Sequence, residues 1–427
     1  MTTCRGYRGT AYKCSPDPST FIAPSMGRVV RIMRNDTALK FVVLVDGDPF
    51  NIRTDSGRAP NMIREMQRRG VLLKAVSTAP PKLLDNGLKV WSKIIMRRKR
   101  ETWTAVHLHP LRRFVSAGIG RLKCWNVRRD ANAWLEVGLM VDSGAIPLGR
   151  NKFRCCLFDD NHATFVKSRY YEPQRMGRFD SVLLAFEQKT CRRMPLVVAQ
   201  SERLRRSFSD DYGVEPNQVI NIKNGINLNP LPDLPSARTG APVFLFVGID
   251  FERKGGFDLL TAFREVRANI PEARLRIVGP QTSPSTESIP GVEYVGYISR
   301  TTAEGEECFR SELSAASVFV MPSLREPLGN VYLEAMAFGL PCIGSRIFSI
   351  PEFIEDGVTG LLVTPGDSSA ISAAMTKLGQ DVDLANRMGR AGYDKVMTDF
   401  TWEKVVDKLI AEVQARRFAS PAACSTG

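Results

Sequence analysis

Glu326 and Glu334 stand eight residues apart in the stretch Ser323-Leu-Arg-Glu326-Pro-Leu-Gly329-Asn330-Val331-Tyr-Leu-Glu334-Ala-Met-Ala-Phe, with a glycine between them. An apolar run from Ala316 to Pro322 precedes them and reads as a buried strand. After Gly329, the residues Val331, Leu333, Ala335 and Met336 interleave at helical spacing. Glu326 is therefore expected on a loop at a strand's C-terminal end, and Glu334 inside the following helix. The first N–H groups of a helix lack internal partners and can hold an anion. A carboxylate on each side of such a site can accept hydrogen bonds from the hydroxyls of a phosphorylated ligand. Glu334 is flanked by apolar side chains, and burying a carboxylate for no purpose is costly. That favours a binding role over a solvated surface glutamate.

A second constellation is Gly248-Ile249-Asp-Phe-Glu-Arg253-Lys254-Gly255-Gly256, which follows the apolar run Val243–Val247. Its glycines permit close backbone approach, and its adjacent cations suit a diphosphate, Arg253 by a planar fork and Lys254 by a point charge. His162 follows a strand ending in Asp159-Asp160, and a lone histidine there is often structural. Ser56 precedes a helical pattern beginning at Arg58, where serine is a good N-cap.

These residues need a scaffold of strand ends. Buried parallel strands are expected at 40–46, 71–76, 134–141, 153–158 and 195–199, with a first helix from Arg58 to Arg69 closed by Gly70. A turn is expected at Asp142-Ser143-Gly144. Pro and small residues at 230–242 read as a linker. A second set of strands is expected at 243–247, 274–278, 292–295, 318–321, 341–345 and 360–363, with a last helix from about Thr401. Strands alternating with helices imply an α/β protein with open parallel sheets, in which ligands sit beyond the strand C-termini. The expected division is an extension at 1–38 without clear period, one domain at 39–235, a second at 236–400, and a C-terminal helix and tail at 401–427.

The E-x7-E segment resembles the signature of the family-4 retaining glycosyltransferases, and the likeness runs from about Val243 to Leu409. It implies the GT-B fold: two Rossmann-like domains facing a cleft, the first binding acceptor and the second the nucleotide-sugar. It also implies transfer of a hexose to an acceptor hydroxyl with retention, without a metal or cofactor. Under that resemblance Glu326 orients the hexose, and Gly248, Gly329, Asn330, Val331 and Glu334 belong to the donor site. Lys254 matches the family's lysine, while Ile249 stands where the family has an arginine, a role Arg253 is expected to assume. His162 matches a histidine facing the donor sugar, Ser56-Gly57 a Gly-Gly pair touching phosphate or acceptor, and Gly296-Tyr297 a loop beside the base. A second departure is Ser349-Ile-Pro351-Glu352, where the family has Gly-Gly before Pro-Glu. The last helix is expected to cross back onto the first domain. Cell-envelope polysaccharide or glycolipid synthesis is the implied setting.

Composition bounds the alternatives. The chain has 427 residues, 43% hydrophobic and 24% charged, enough for two cored domains. Residues 1–230 carry 40 Lys/Arg against 20 Asp/Glu, a net +20, whereas the remainder is −6. So basic a half favours an anionic partner, and contact with anionic lipid or a lipid-linked acceptor is expected. The run Arg97–Arg100 reads as a solvated face, and no nucleic-acid module is recognisable, so nucleic acid is not expected as a partner. His107 and His109 receive no role. Nine scattered cysteines without C-x-x-C fit reduced thiols, and no secretory signal or spanning run is visible, which points to the cytoplasm. Asp46-Gly47-Asp48 spells D-x-D, but strand-end carboxylates are common, so a metal-dependent transferase is disfavoured. A nucleotide-sugar epimerase on the same paired-domain fold is the alternative enzyme.

Overall fold

The computed structural model describes residues 38–52, 54–87, 90, 110–138, 152–167, 178–234, 236–280 and 288–418. Residues 1–37 of the expected extension at 1–38, the run Arg97–Arg100, His107, His109 and the turn at Asp142–Gly144 lie outside the described residues. So do residues 139–141 of an expected strand.

Two six-stranded sheets, parallel throughout, carry the molecule. The first contains β1 (Phe41–Val45), β2 (Leu72–Ser77), β3 (Ala133–Val137), β4 (Phe153–Phe158), β5 (Leu196–Ala199) and β6 (Val219–Asn221), in the order β2-β1-β3-β4-β5-β6. Around it lie α1 (Arg58–Arg68), α2 (Pro110–Lys123), α3 (His162–Val166), α4 (Arg178–Arg192) and α5 (Glu202–Asp210). The second contains β7 (Val243–Val247), β8 (Arg274–Val278), β9 (Val292–Gly296), β10 (Val318–Met321), β11 (Cys342–Ser345) and β12 (Gly360–Val363), in the order β12-β11-β10-β7-β8-β9. Its helices are α6 (Gly256–Asn269), α7 (Ala303–Ala315), α8 (Asn330–Ala337), α9 (Ile350–Phe353), α10 (Ser368–Gln380) and α11 (Val382–Asp399). The chain ends in α12 (Trp402–Phe418).

The central strands are continuous apolar runs because helices cover both sheet faces. All five residues of β1 and all four of β10 are buried. α12 belongs to the core of the first sheet, not the second: Trp402, Val405, Val406, Leu409 and Val413 pack with Phe41, Ile63 and Met66. Arg69, the C-cap of α1, pairs with Asp407 of α12. Among the described residues, no helix is long and apolar enough to cross a membrane.

Strand order locates the crevice. The first sheet reverses its winding between β1 and β3, and the second between β7 and β10. Loops leaving neighbouring strands at such a point diverge and leave room for a ligand beyond the strand C-termini. In the second sheet those loops are 248–255 and 322–329, which contain Arg253, Lys254 and Glu326.

Candidate active site

A cavity of about 510 Å³ lies between the two sheets, lined from the first by Ile52, Ser56, Arg58 and Asp159, and from the second mainly by the loops after β7, β9 and β10. Gly248, Arg253, Lys254, Tyr297, Glu326, Gly329, Asn330, Val331 and Glu334 all line it. Residues separated by up to 86 positions in the chain therefore share one wall.

Gly329 ends the loop as the N-cap of α8 in the left-handed region, at φ 79°, which favours glycine. A Cβ there would meet the Tyr332 ring at 2.7 Å, so the turn also needs the missing side chain. Glu326 sits just before this cap. Its Oε2 lies 2.9 Å from Lys254 Nζ and 3.5 Å from an Arg253 guanidinium nitrogen. Burial pushes the Glu326 carboxyl upward, but Lys254 and then Arg253 overcome that, leaving it below the usual glutamate range. Ionised Glu326 is thus a fixed hydrogen-bond acceptor facing the cavity.

Glu334 is 4% exposed and forms an ion pair with Arg300 at 2.7 Å. Burial dominates and raises its carboxyl above the usual range, with Arg300 opposing. Arg300 is the partner the sequence reading lacked. It also binds Glu306 at 2.8 Å, donates to the Asn227 carbonyl at 3.0 Å, and stacks 4.2 Å over Phe309. A buried helical glutamate demands a cation nearby, and Arg300, three residues beyond Tyr297, was the signal available in the sequence.

Arg253, expected to hold the diphosphate, lines the cavity beside Lys254. Its guanidinium donates to Asp250 at 2.9 Å and to the Arg325 carbonyl at 2.7 Å. Those bonds tie together the loops after β7 and β10 and engage two of the three guanidinium nitrogens. Lys254 is the cation presented beside Glu326. Ile249, two-thirds exposed, is apolar surface at the rim.

On the first-sheet wall, Asp55 and Ser56 both adopt left-handed φ, 52° and 53°. The expected serine cap is not formed: Gly57 is the N-cap of α1, and no side chain caps that helix. Ser56 reaches the cavity, while Gly57 is buried beneath it against Asn227 and Ile52. Arg58, which the sequence reading passed over, donates to Asp159 at 2.7 Å and Gln200 at 2.9 Å, and pairs with Asp55. Gln200, accepting from Arg58 through Oε1, donates in turn through Nε2 to Asn224 at 2.9 Å, and Asn224 donates to Asn330 at the start of α8. A chain of polar contacts therefore links the two walls.

His162 is not among the residues lining the cavity. It opens α3, is 5% exposed, and its backbone N–H donates to Glu187 at 3.2 Å. The D-x-D spelling also has a structural use, since Asp46 holds Arg112 at 2.8 Å with both side chains buried.

Comparison with known proteins agrees with this architecture. The profile of the family described as "Glycosyl transferases group 1" matches residues 241–381. The chain is 29% identical over 285 residues to an alpha-maltose-1-phosphate synthase of Mycobacterium tuberculosis, covering 60% of this chain and 73% of that one. It is 32% identical over 243 residues to the lipopolysaccharide core biosynthesis glycosyltransferase LpsE of Rhizobium meliloti, covering 56% of this chain and 68% of the relative. Among solved structures, sucrose-phosphate synthase from Thermosynechococcus elongatus superposes with a TM-score of 0.65 at 20% identity, over 89% of this chain and all of that one. The likeness to that structure gives the fold, GT-B, and the sequence relatives give the rest: the chain belongs to the group 1 glycosyl transferases.

Proposed function

We propose that the protein transfers a hexose from a nucleotide-diphosphate sugar to an acceptor hydroxyl with retention of anomeric configuration, without a metal, in polysaccharide or glycolipid synthesis. One observation carries the assignment of roles: Glu326, Lys254 and Glu334 line a single cavity around the N-terminus of α8. In this reading the second-sheet domain binds donor and the first-sheet domain binds acceptor.

The α8 N-terminus receives the diphosphate, where its free N–H groups and those of Gly329 and Asn330 face negative charge. Lys254 neutralises charge that builds on the leaving phosphate. Glu326 accepts from hexose hydroxyls and sets the sugar's orientation. Glu334 accepts from the ribose, and Tyr297 lies beside the base. All these groups are fixed before charge develops, the condition under which electrostatic stabilisation is most effective. The acceptor hydroxyl approaches from the first-sheet wall, past Ser56, on the face from which the diphosphate departs. Closure of the walls excludes water and limits hydrolysis. His162 takes no part in this reading.

The test has two stages. A panel of nucleotide-sugars is screened for protection against thermal unfolding, because a ligand that binds only the folded state raises the melting temperature. The protecting donor is then incubated with the protein in the presence of a chelator, with and without candidate sugar or lipid acceptors. Release of nucleoside diphosphate and a product whose anomeric proton matches the donor's configuration support the reading. Conversion of the donor's sugar with no acceptor and no nucleotide release would instead identify an epimerase. No protection by any nucleotide-sugar would remove the donor site.

A further inference from the structure

The C-terminal end of α2 places exposed apolar side chains among cations. One side of this segment is buried through Ala117 and Cys124. The other leaves Leu122 78% exposed and Trp125 54% exposed. The Trp125 N–H donates to the Leu122 carbonyl at 3.2 Å, so both leave the same turn and point to one side. The Arg128 guanidinium lies 3.2 Å over the Trp125 ring. Arg121 and Arg129 are exposed beside them. From Arg121 to Arg129 the chain has four cations and no acid. Water gives no reason to expose a leucine and an indole together, and clustered exposed apolar groups with a charged rim mark interaction sites.

We propose that Arg121, Leu122, Trp125, Arg128 and Arg129 form a docking face for anionic phospholipid headgroups. Each part matches a layer of that environment. Indole seats at the boundary between headgroups and acyl chains, where one end is apolar and the other wet. Leu122 enters the apolar layer. The arginines lay their stems along it and deliver guanidinium groups to phosphates, and basic residues near an anionic surface each add to the attraction. A nucleic acid would use Trp125 as a stacking platform, but Arg128 already covers one face of that ring, and Leu122 would gain nothing. The same helix begins beside the first sheet's centre: Arg112 in its first turn pairs with Asp46, directly after β1, and with Asp85. Docking at one end of α2 therefore fixes the orientation of the first sheet relative to the bilayer. The proposal does not depend on the transfer reading, because binding to vesicles needs no substrate.

The full chain is co-sedimented with vesicles of phosphatidylcholine alone or of phosphatidylcholine mixed with phosphatidylglycerol. The wild type is expected to bind the anionic vesicles at least about tenfold more tightly and to be released by salt. Leu122→Ser with Trp125→Ser, and separately Arg121→Gln with Arg129→Gln, are each expected to weaken that binding about tenfold. Both pairs are exposed and outside the cavity, so melting temperature and nucleotide affinity should match wild type. Equal binding to neutral and anionic vesicles overturns the proposal, as does unchanged vesicle binding in both variants. Single-stranded RNA is the competing ligand: RNA binding abolished by the arginine pair, with vesicle binding intact, assigns the face to nucleic acid instead.

Discussion

Glu326 and Glu334 are chemically identical and only eight residues apart, yet their surroundings push them in opposite directions. Lys254 and Arg253 keep Glu326 ionised, while burial raises Glu334 despite Arg300. Glu326→Gln retains shape and removes charge, so it should lower kcat about 100-fold and change donor affinity little. Steady-state kinetics with the protecting donor would show this, and an unchanged kcat would remove Glu326 from the chemistry. Under the proposed roles, Arg300 holds Glu334 in place through their ion pair. Arg300→Met should weaken UDP or GDP binding about tenfold by calorimetry while kcat at saturation stays near wild type. A loss confined to kcat would contradict that positioning role. Asp55 supplies a pH test. Burial raises its carboxyl to about 6 from 3.8, although Arg58 opposes the shift. A raised folded value means the folded state binds that proton more tightly, so stability from this group is present below about pH 3.8 and lost as pH rises through about 6. Asp55→Asn removes that loss. The stability of the variant relative to wild type should therefore climb between pH 4 and pH 7 in denaturant titrations, whatever constant offset the lost Arg58 contact adds.

The elements that place these residues were mostly legible in the sequence, and their contacts were not. β1, β4, β7, β10 and β12 were readable within a residue or so as apolar runs, because a strand covered on both faces leaves that mark locally. β6, three residues long, left no such pattern. The Arg300–Asn227 and Asn224–Asn330 bonds join positions 73 and 106 residues apart, and no local period records them. The serine before α1 looked like a cap, but two left-handed residues moved that task to Gly57. Glycines in the loop after β7 were legible as close approaches, and the structure now separates their roles. A Cβ on Gly248 would fall 2.1 Å from Lys254 Cδ, a flexible side chain that can swing away. Gly248→Ala should thus fold nearly as well as wild type, within about 1 kcal/mol, and lose activity by displacing the lysine. Gly255 sits at φ 73° with the Pro322 carbonyl oxygen 2.0 Å from its hypothetical Cβ, and backbone cannot swing away. Gly255→Ala should cost about 3 kcal/mol or more in urea unfolding. The reverse ranking would mean that this loop is not the rigid support described.

Across the whole molecule, specific polar contacts join the two walls. Arg325 in the loop before Glu326 pairs with Asp160 after β4 at 2.6 Å. Glu352, in the segment that departs from the family pattern, accepts from the backbone N–H groups of Glu202 and Arg203 at 2.7 and 3.0 Å. Those N–H groups open α5, where Ser201 caps Leu204 at 3.2 Å and leaves the earlier donors for Glu352. A carboxylate from the second-sheet side thus completes the N-terminus of a first-sheet helix, where negative charge is favoured by about 1 kcal/mol. That bond exists only while the walls are together, so its energy biases the closed arrangement. Glu352→Gln removes the charge and keeps most of the shape. If closure is what excludes water, the closed population should fall about fivefold. Donor hydrolysis should then rise relative to transfer, hydrogen exchange at residues 202–204 should quicken, and the melting temperature should move by no more than a few degrees. If exchange quickens across all of α5 and the melting temperature drops further, Glu352 is supporting the helix and not the closure. An unchanged ratio of hydrolysis to transfer with faster exchange only at 202–204 would separate the two roles and remove closure as the barrier to water.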